Sequence, residues 1–123
     1  MAEVVWSEPA LADLDAIADY IALDNPPAAQ RLVRNVFDHT DQLETHPDSG
    51  SFPREIKGKR YRQVVEPPCR VIYRHDKKQE RVYILHVMRS QQKLRRSKLR
   101  RSVLLGLAAI VLPGVGGMVL EFV

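Results

Sequence analysis

Arginines dominate the side chains able to do chemistry. Arg62, Arg70 and Arg74 fall within thirteen positions, Arg70 and Arg74 at an even spacing that puts both on one face of a strand, and Arg89 closes the last apolar run of that region. Convergent guanidinium forks can hold a phosphate bidentately and stabilise charge that develops on it. A ribonuclease that works without a metal needs a base for the 2′-OH, a stabiliser for the phosphorane and an acid for the leaving 5′-oxygen. Arginines, with pKa values above about 12, suit only the second task. Glu66, just before Pro67-Pro68, is the carboxylate of that neighbourhood and the candidate base, while His86 is the nearby side chain that titrates near neutrality. Arg62, Glu66, Arg70 and Arg89 are therefore the candidate catalytic set, with Arg74, Lys57 and Lys59 as candidate RNA contacts. The competing reading pairs the same arginines with acidic residues of the chain or of a partner.

Other chemistries find little support. His39, His46, His75 and His86 lack Cys or His partners at ligand spacing, no glycine-rich phosphate loop is present, and Cys69 has no nucleophile signature around it. No metal and no cofactor are expected. His75 and His86, each on a strand, read first as hydrogen-bonded structural residues.

The charge is unevenly spread. Residues 1 to 50 hold ten acidic and two basic residues, whereas residues 51 to 102 hold seventeen basic and four acidic ones. A field of that strength in one half of a small protein suits phosphates or an acidic protein partner. From Arg89 to Arg101 there are seven basic residues and no acidic one, so this stretch is too charged to bury and is expected to lie on the surface, to dock on an acidic partner, or to approach nucleic acid. Lys93, Arg95 and Arg96 are its candidate docking residues for an acidic partner.

The elements that must position these side chains follow from periodicity. Glu3 to Trp6 is a short β-branched strand, and Ser7 can cap a helix with Pro9 in its first turn. Leu11, Leu14, Ile17, Ala18 and Ile21 then recur at helical spacing with aspartates between them. Asn25-Pro26-Pro27 starts a second helix carrying Leu32, Val33, Val36 and Phe37, which ends before His46-Pro47. The short break predicts an antiparallel helix hairpin. After Gly50 the period becomes two, and Arg54–Lys57, Tyr61–Glu66, Cys69–His75 and Val82–Val87 read as strands of an antiparallel meander. The hairpin is expected on one face of that sheet, leaving the other face free, and Ser90 is expected to cap a basic third helix through Arg101. The fold class is thus α+β, with residues 1–102 as the folded domain.

Residues 103–123 form a distinct hydrophobic tail. Val103 to Leu120 has no charged or polar side chain, and eighteen helical residues reach about 27 Å, near the thickness of a bilayer core. The basic sequence before it would keep the folded part cytoplasmic. Pro113, Gly114, Gly116 and Gly117 read equally well as a turn between two apolar segments. A membrane anchor and a buried extension therefore both stand. With a lone cysteine and no leader-like opening, the expected compartment is the cytoplasm, with the tail as a candidate contact to the inner membrane.

The ordered series Trp6 to Ile21, Pro27-Ala28-Ala29, Leu43 to Gly50, Tyr61-Arg62, Cys69 to Arg74 and Ile84 to Arg89 resembles the RelE/ParE superfamily of type II toxins. That resemblance spans residues 3 to 100 and implies a helix hairpin packed on a small sheet, growth arrest as the activity, and an acidic antitoxin as the cognate partner. RelE-like members cut messenger RNA on the ribosome with basic residues of the sheet, and Arg70 matches the central strand arginine of that group. ParE-like members inhibit DNA gyrase without cutting RNA, and the long acidic hairpin beginning at Trp6 is similar to theirs. Where many nucleases of the family place a histidine or tyrosine, this chain has Met88-Arg89-Ser90. Ribosome-dependent mRNA cleavage is the leading expectation, followed by gyrase inhibition and then by a basic interaction module without catalysis.

Overall fold

The computed structural model describes residues 1–99 together with the backbone of residues 108–110 and 121–122. The chain runs β1 (Glu3–Ser7), α1 (Glu8–Ala22), α2 (Pro26–Asp41), a single 3-10 turn at Gln42–Glu44, then β2 (Arg62–Glu66), β3 (Cys69–Asp76), β4 (Arg81–Arg89), β5 (Ala108–Ile110) and β6 (Glu121–Phe122). Both helices begin as their residues dictate. The Ser7 hydroxyl accepts the Ala10 N–H at 3.2 Å and the Asn25 side chain accepts the Ala28 N–H at 3.1 Å, with proline in each first turn.

The strands form one mixed sheet in the order β2-β3-β4-β1-β5-β6. β2, β3 and β4 are the expected antiparallel meander, but β1 lies parallel to β4, pairing Glu3 with Arg81 through Trp6 with Ile84. The hairpin α1–α2 lies between β1 and the meander in the chain, so β1 enters the sheet from outside the run of consecutive strands. Arg54–Lys57, expected as a strand, is a turn instead. Pro53 precedes it, Gly58 follows with φ of 99°, and only Ser51 bridges to Gln63.

Alternation loads both faces of the sheet with apolar side chains. Val71, Tyr73, Val82, Ile84 and Val87 face the hairpin and pack with Val4, Trp6, Leu14, Leu32 and Val36. Ile72, Leu85 and Met88 face the other way and are covered by Ile56, Leu94 and Leu99. The second face is therefore not free, as the sequence had suggested, because it carries an apolar set of its own that had to be buried. The loop 52–61 and the segment 92–99 supply the cover. After β4 residues 90–92 form a turn and helix is present at 96–99, so Ser90 does not cap a helix there; its N–H donates to the Pro68 carbonyl at 2.9 Å. Arg100 and Arg101 lie outside the described residues, as does most of the apolar tail. Its described parts, Ala108–Ile110 and Glu121–Phe122, are strands that extend the sheet beyond β1. No helix among the described residues is long and apolar enough to cross a membrane.

Candidate functional site

Register decides which of the candidate side chains share a face. Residues directly opposite on paired strands project to the same side. Arg70 stands opposite Met88, which belongs to the second core, while Arg62 stands opposite Tyr73, and both Glu66 and Arg89 stand opposite Cys69, residues of the hairpin core. Arg70 and Arg74 do share a face, as their spacing implied, but four steps along the strand separate them by about 13 Å. The sheet thus distributes Arg62, Glu66, Arg70 and Arg89 over two faces and does not gather them.

Each has a partner. The Arg70 guanidinium is buried and forks onto both oxygens of Glu55, one contact at 3.0 Å and a second closer still. It donates further to Gln63 Oε1 at 3.0 Å and to the Gln92 carbonyl at 2.6 Å. Glu55 also accepts the Leu94 N–H at 2.9 Å. The hydrogen bonds from Arg70, helped by that from Leu94, hold the Glu55 carboxyl down at about 2 against the opposing effect of burial. One charged pair therefore ties the loop 52–61, β3 and the chain after β4 together. Arg54, Val65, Ser90, Gln91 and Lys93 complete a cleft of about 870 Å³ around it.

On the hairpin side, Arg62 donates to the carbonyls of Asp48 at 3.1 Å and Gly50 at 3.0 Å and stacks 4.4 Å from the Phe52 ring centre. Glu66 lies 3.2 Å from His39 of α2. Arg89 lies over the Tyr20 ring of α1 at 4.6 Å. On the other face, Arg74 stacks on Tyr83 at 5.0 Å. Lys57 and Lys59 are exposed on the loop, and Lys93, Arg95 and Arg96 are exposed around the buried Leu94 and Leu99. Cys69 is buried, and burial pushes its thiol up, away from reactivity. Among the described residues no three of His, Cys, Asp and Glu gather as a metal site would need.

Two groups escaped the sequence reading. Glu55, Gln63 and Gln92 partner Arg70, and Asp13 of α1 lies 2.5 Å from His86 of β4. Nothing local marks these residues, since each contact crosses from one element to another. The two-residue connection Pro67-Pro68, which is cis in the structure, was a usable signal. Once Glu66 and Cys69 face each other across it, Arg62 must oppose Tyr73 and cannot share a face with Arg70.

The fold and this arrangement define a small α+β protein whose basic sheet is braced by its own carboxylates. Residues 4–94 match the family described as the ParE toxin of type II toxin-antitoxin systems, parDE. The chain belongs to that family and is the toxin of a type II toxin-antitoxin system. It is 41% identical over 77 residues to a Caulobacter vibrioides protein named Toxin RelE2, covering 59% of this chain and 80% of that protein. A solved structure described as the chromosomal ParDE system of P. aeruginosa aligns with a TM-score of 0.60 at 25% identity, covering 72% of this chain and 96% of that one. Membership implies a cognate antitoxin as partner.

Proposed function

We propose that this toxin arrests growth by binding a protein target, as the ParE-like members do with DNA gyrase, and not by cutting messenger RNA. The observation that carries this reading is the Arg70–Glu55 pair: the arginine best placed by its sequence to bind a phosphate is buried and already neutralised by a carboxylate. Arg62, Glu66 and Arg89 project from the opposite side of the sheet, so the three tasks of a metal-independent cleavage have no common centre. In this reading the acidic antitoxin docks on Lys93, Arg95 and Arg96, and the toxin works in the cytoplasm, where gyrase is found.

A supercoiling assay tests it directly. Purified full-length toxin is expected to block supercoiling by gyrase with no ribosome present, and equimolar antitoxin to restore it. Primer extension on a message in a purified translation system is the opposing arm. Ribosome-dependent cuts that vanish in Arg70→Ala, together with unimpaired supercoiling, would return the function to mRNA cleavage.

A further inference from the structure

The helix hairpin has apolar residues to spare. Leu11, Leu14, Ile17 and Ile21 of α1 and Leu32, Val36 and Phe37 of α2 pack on the sheet. One row further round, Ala18 and Ala22 of α1 and Ala29 and Val33 of α2 line an open groove of about 450 Å³ between the two helices. No strand residue lines it, so it opens away from the sheet. Alanine at three of these positions keeps the floor low and lets other helices approach closely. Leu23, which follows Ala22 and caps α1, is 81% exposed, a large apolar side chain left in water beside an apolar groove.

Opposite charges stand on the two rims. Asp19 lines the groove from α1 and Arg34 from α2, both exposed, and neither makes an ion pair or hydrogen bond among the described residues. Asp15, exposed one turn before Asp19, extends the negative rim. An acidic partner or a nucleic-acid strand would meet the aspartates, and a basic partner would meet Arg34. The surface that matches carries both signs on either side of an apolar strip, and this face is itself such a surface. The charges also fix how two copies can meet. A twofold axis running along the groove lays α1 of each copy on α2 of the other and sets Asp19 against Arg34 twice, whereas an axis across the groove lays α1 on α1 and aspartate on aspartate.

We infer that the toxin pairs with a second copy of itself through this groove, as a twofold dimer in which Asp19 of each copy meets Arg34 of the other over the alanine floor. The inference does not rest on the mode of growth arrest and stands whether the target is gyrase or the ribosome. Lys93, Arg95 and Arg96 do not line the groove, so pairing leaves the docking residues for the antitoxin free.

The test is sedimentation velocity of the full-length toxin over a concentration series, with the charge on each rim reversed in turn. The parent is expected to show a reversible monomer–dimer equilibrium that weakens as salt is raised. Asp19→Arg and Arg34→Asp each set like charges against one another at two symmetry-related places, so each should weaken the dimer by about tenfold or more. Mixed in equal amounts, these two variants complement each other and should associate about as well as the parent, as should the double variant Asp19→Arg/Arg34→Asp. Both side chains are exposed, so the thermal midpoints should stay close to that of the parent. A toxin that stays monomeric throughout overturns the proposal. A dimer that neither reversal weakens overturns it by placing the contact elsewhere, the apolar tail included, and so does a mixture of the two variants that fails to associate. A monomeric toxin whose binding to antitoxin falls with the same reversals overturns it too, and gives the groove to the antitoxin.

Discussion

At the scale of single residues, Arg70 shows how a side chain suited to catalysis can be committed to structure. Removing it alone strands the Glu55 carboxylate beneath the covering segment, a change expected to cost about 3 kcal/mol, at the low end for a broken buried pair because Glu55 keeps some solvent contact. Removing both partners is different. The double variant Arg70→Met/Glu55→Met fills the same space without stranding a charge and is expected to recover most of that loss in urea unfolding. If the pair is structural, the double variant remains toxic; a nuclease that needs the guanidinium would lose toxicity in both. The same pair makes stability depend on acid. The Glu55 carboxyl sits at about 2 in the folded protein against an ordinary value of 4.5, so its contribution is complete above that ordinary value and fades as pH falls toward about 2. Acid unfolding between pH 4.5 and 2 should accordingly be blunted in Glu55→Gln relative to the parent. Gly50 is constrained in another way. A Cβ there would stand 2.6 Å from the Gln63 carbonyl and 2.7 Å from the Tyr73 hydroxyl, which itself accepts the Gly50 N–H at 3.0 Å and donates to the Pro47 carbonyl at 2.8 Å. Tyr73→Phe leaves both backbone groups without that partner and should lower stability by about 1–3 kcal/mol.

At the scale of elements, what could be read in the sequence was what local interactions decide. The two helices carry their own caps, and Leu11, Leu14, Ile17 and Ile21 mark a stripe turned toward the core, Leu14 buried and the other three half-buried, that needs no knowledge of the rest of the chain. The meander β2-β3-β4 was legible for the same reason, its turns being short. The parallel pairing of β1 with β4 was not, because it joins residues nearly eighty positions apart and no pattern within either strand encodes it. The candidate site failed at the same place. Even spacing put Arg70 and Arg74 on one face, but the contacts that fix the role of Arg70 come from Glu55 and Gln92, on elements whose docking the sequence does not announce. Arg54–Lys57 resembled a strand through Ile56, yet Ile56 is one of the side chains that covers the second face. Leu94 and Leu99 do so from the chain after β4, and both are buried. Leu94→Ala should therefore destabilise by about 2–5 kcal/mol, well above an exposed substitution such as Lys93→Ala in the same segment. A loss of less than about 1 kcal/mol would mean that the covering segment contributes little to stability.

At the scale of the whole molecule, the separation of charge along the chain becomes a separation in space. The ten acidic residues of positions 1 to 50 belong mostly to the helix hairpin, and the cations of positions 51 to 99 belong to the sheet and the segments that cover its second face. A dipolar surface of this kind orients an acidic partner before contact, so it acts chiefly on the rate of encounter. Lys93, Arg95 and Arg96 are exposed, and exposed charges at a rim steer association without being deeply desolvated on binding. Reversing all three to glutamate should thus slow association with the antitoxin by about tenfold or more at low salt and leave dissociation nearly unchanged. Raising the salt should erase most of the difference between variant and parent, since the Debye length falls from about 10 Å at 0.1 M to about 3 Å at 1 M. Stopped-flow binding at two ionic strengths measures both effects. If the variant instead dissociates faster and the defect persists in high salt, those side chains are buried against the antitoxin, and the basic segment is part of the interface itself and not a guide to it.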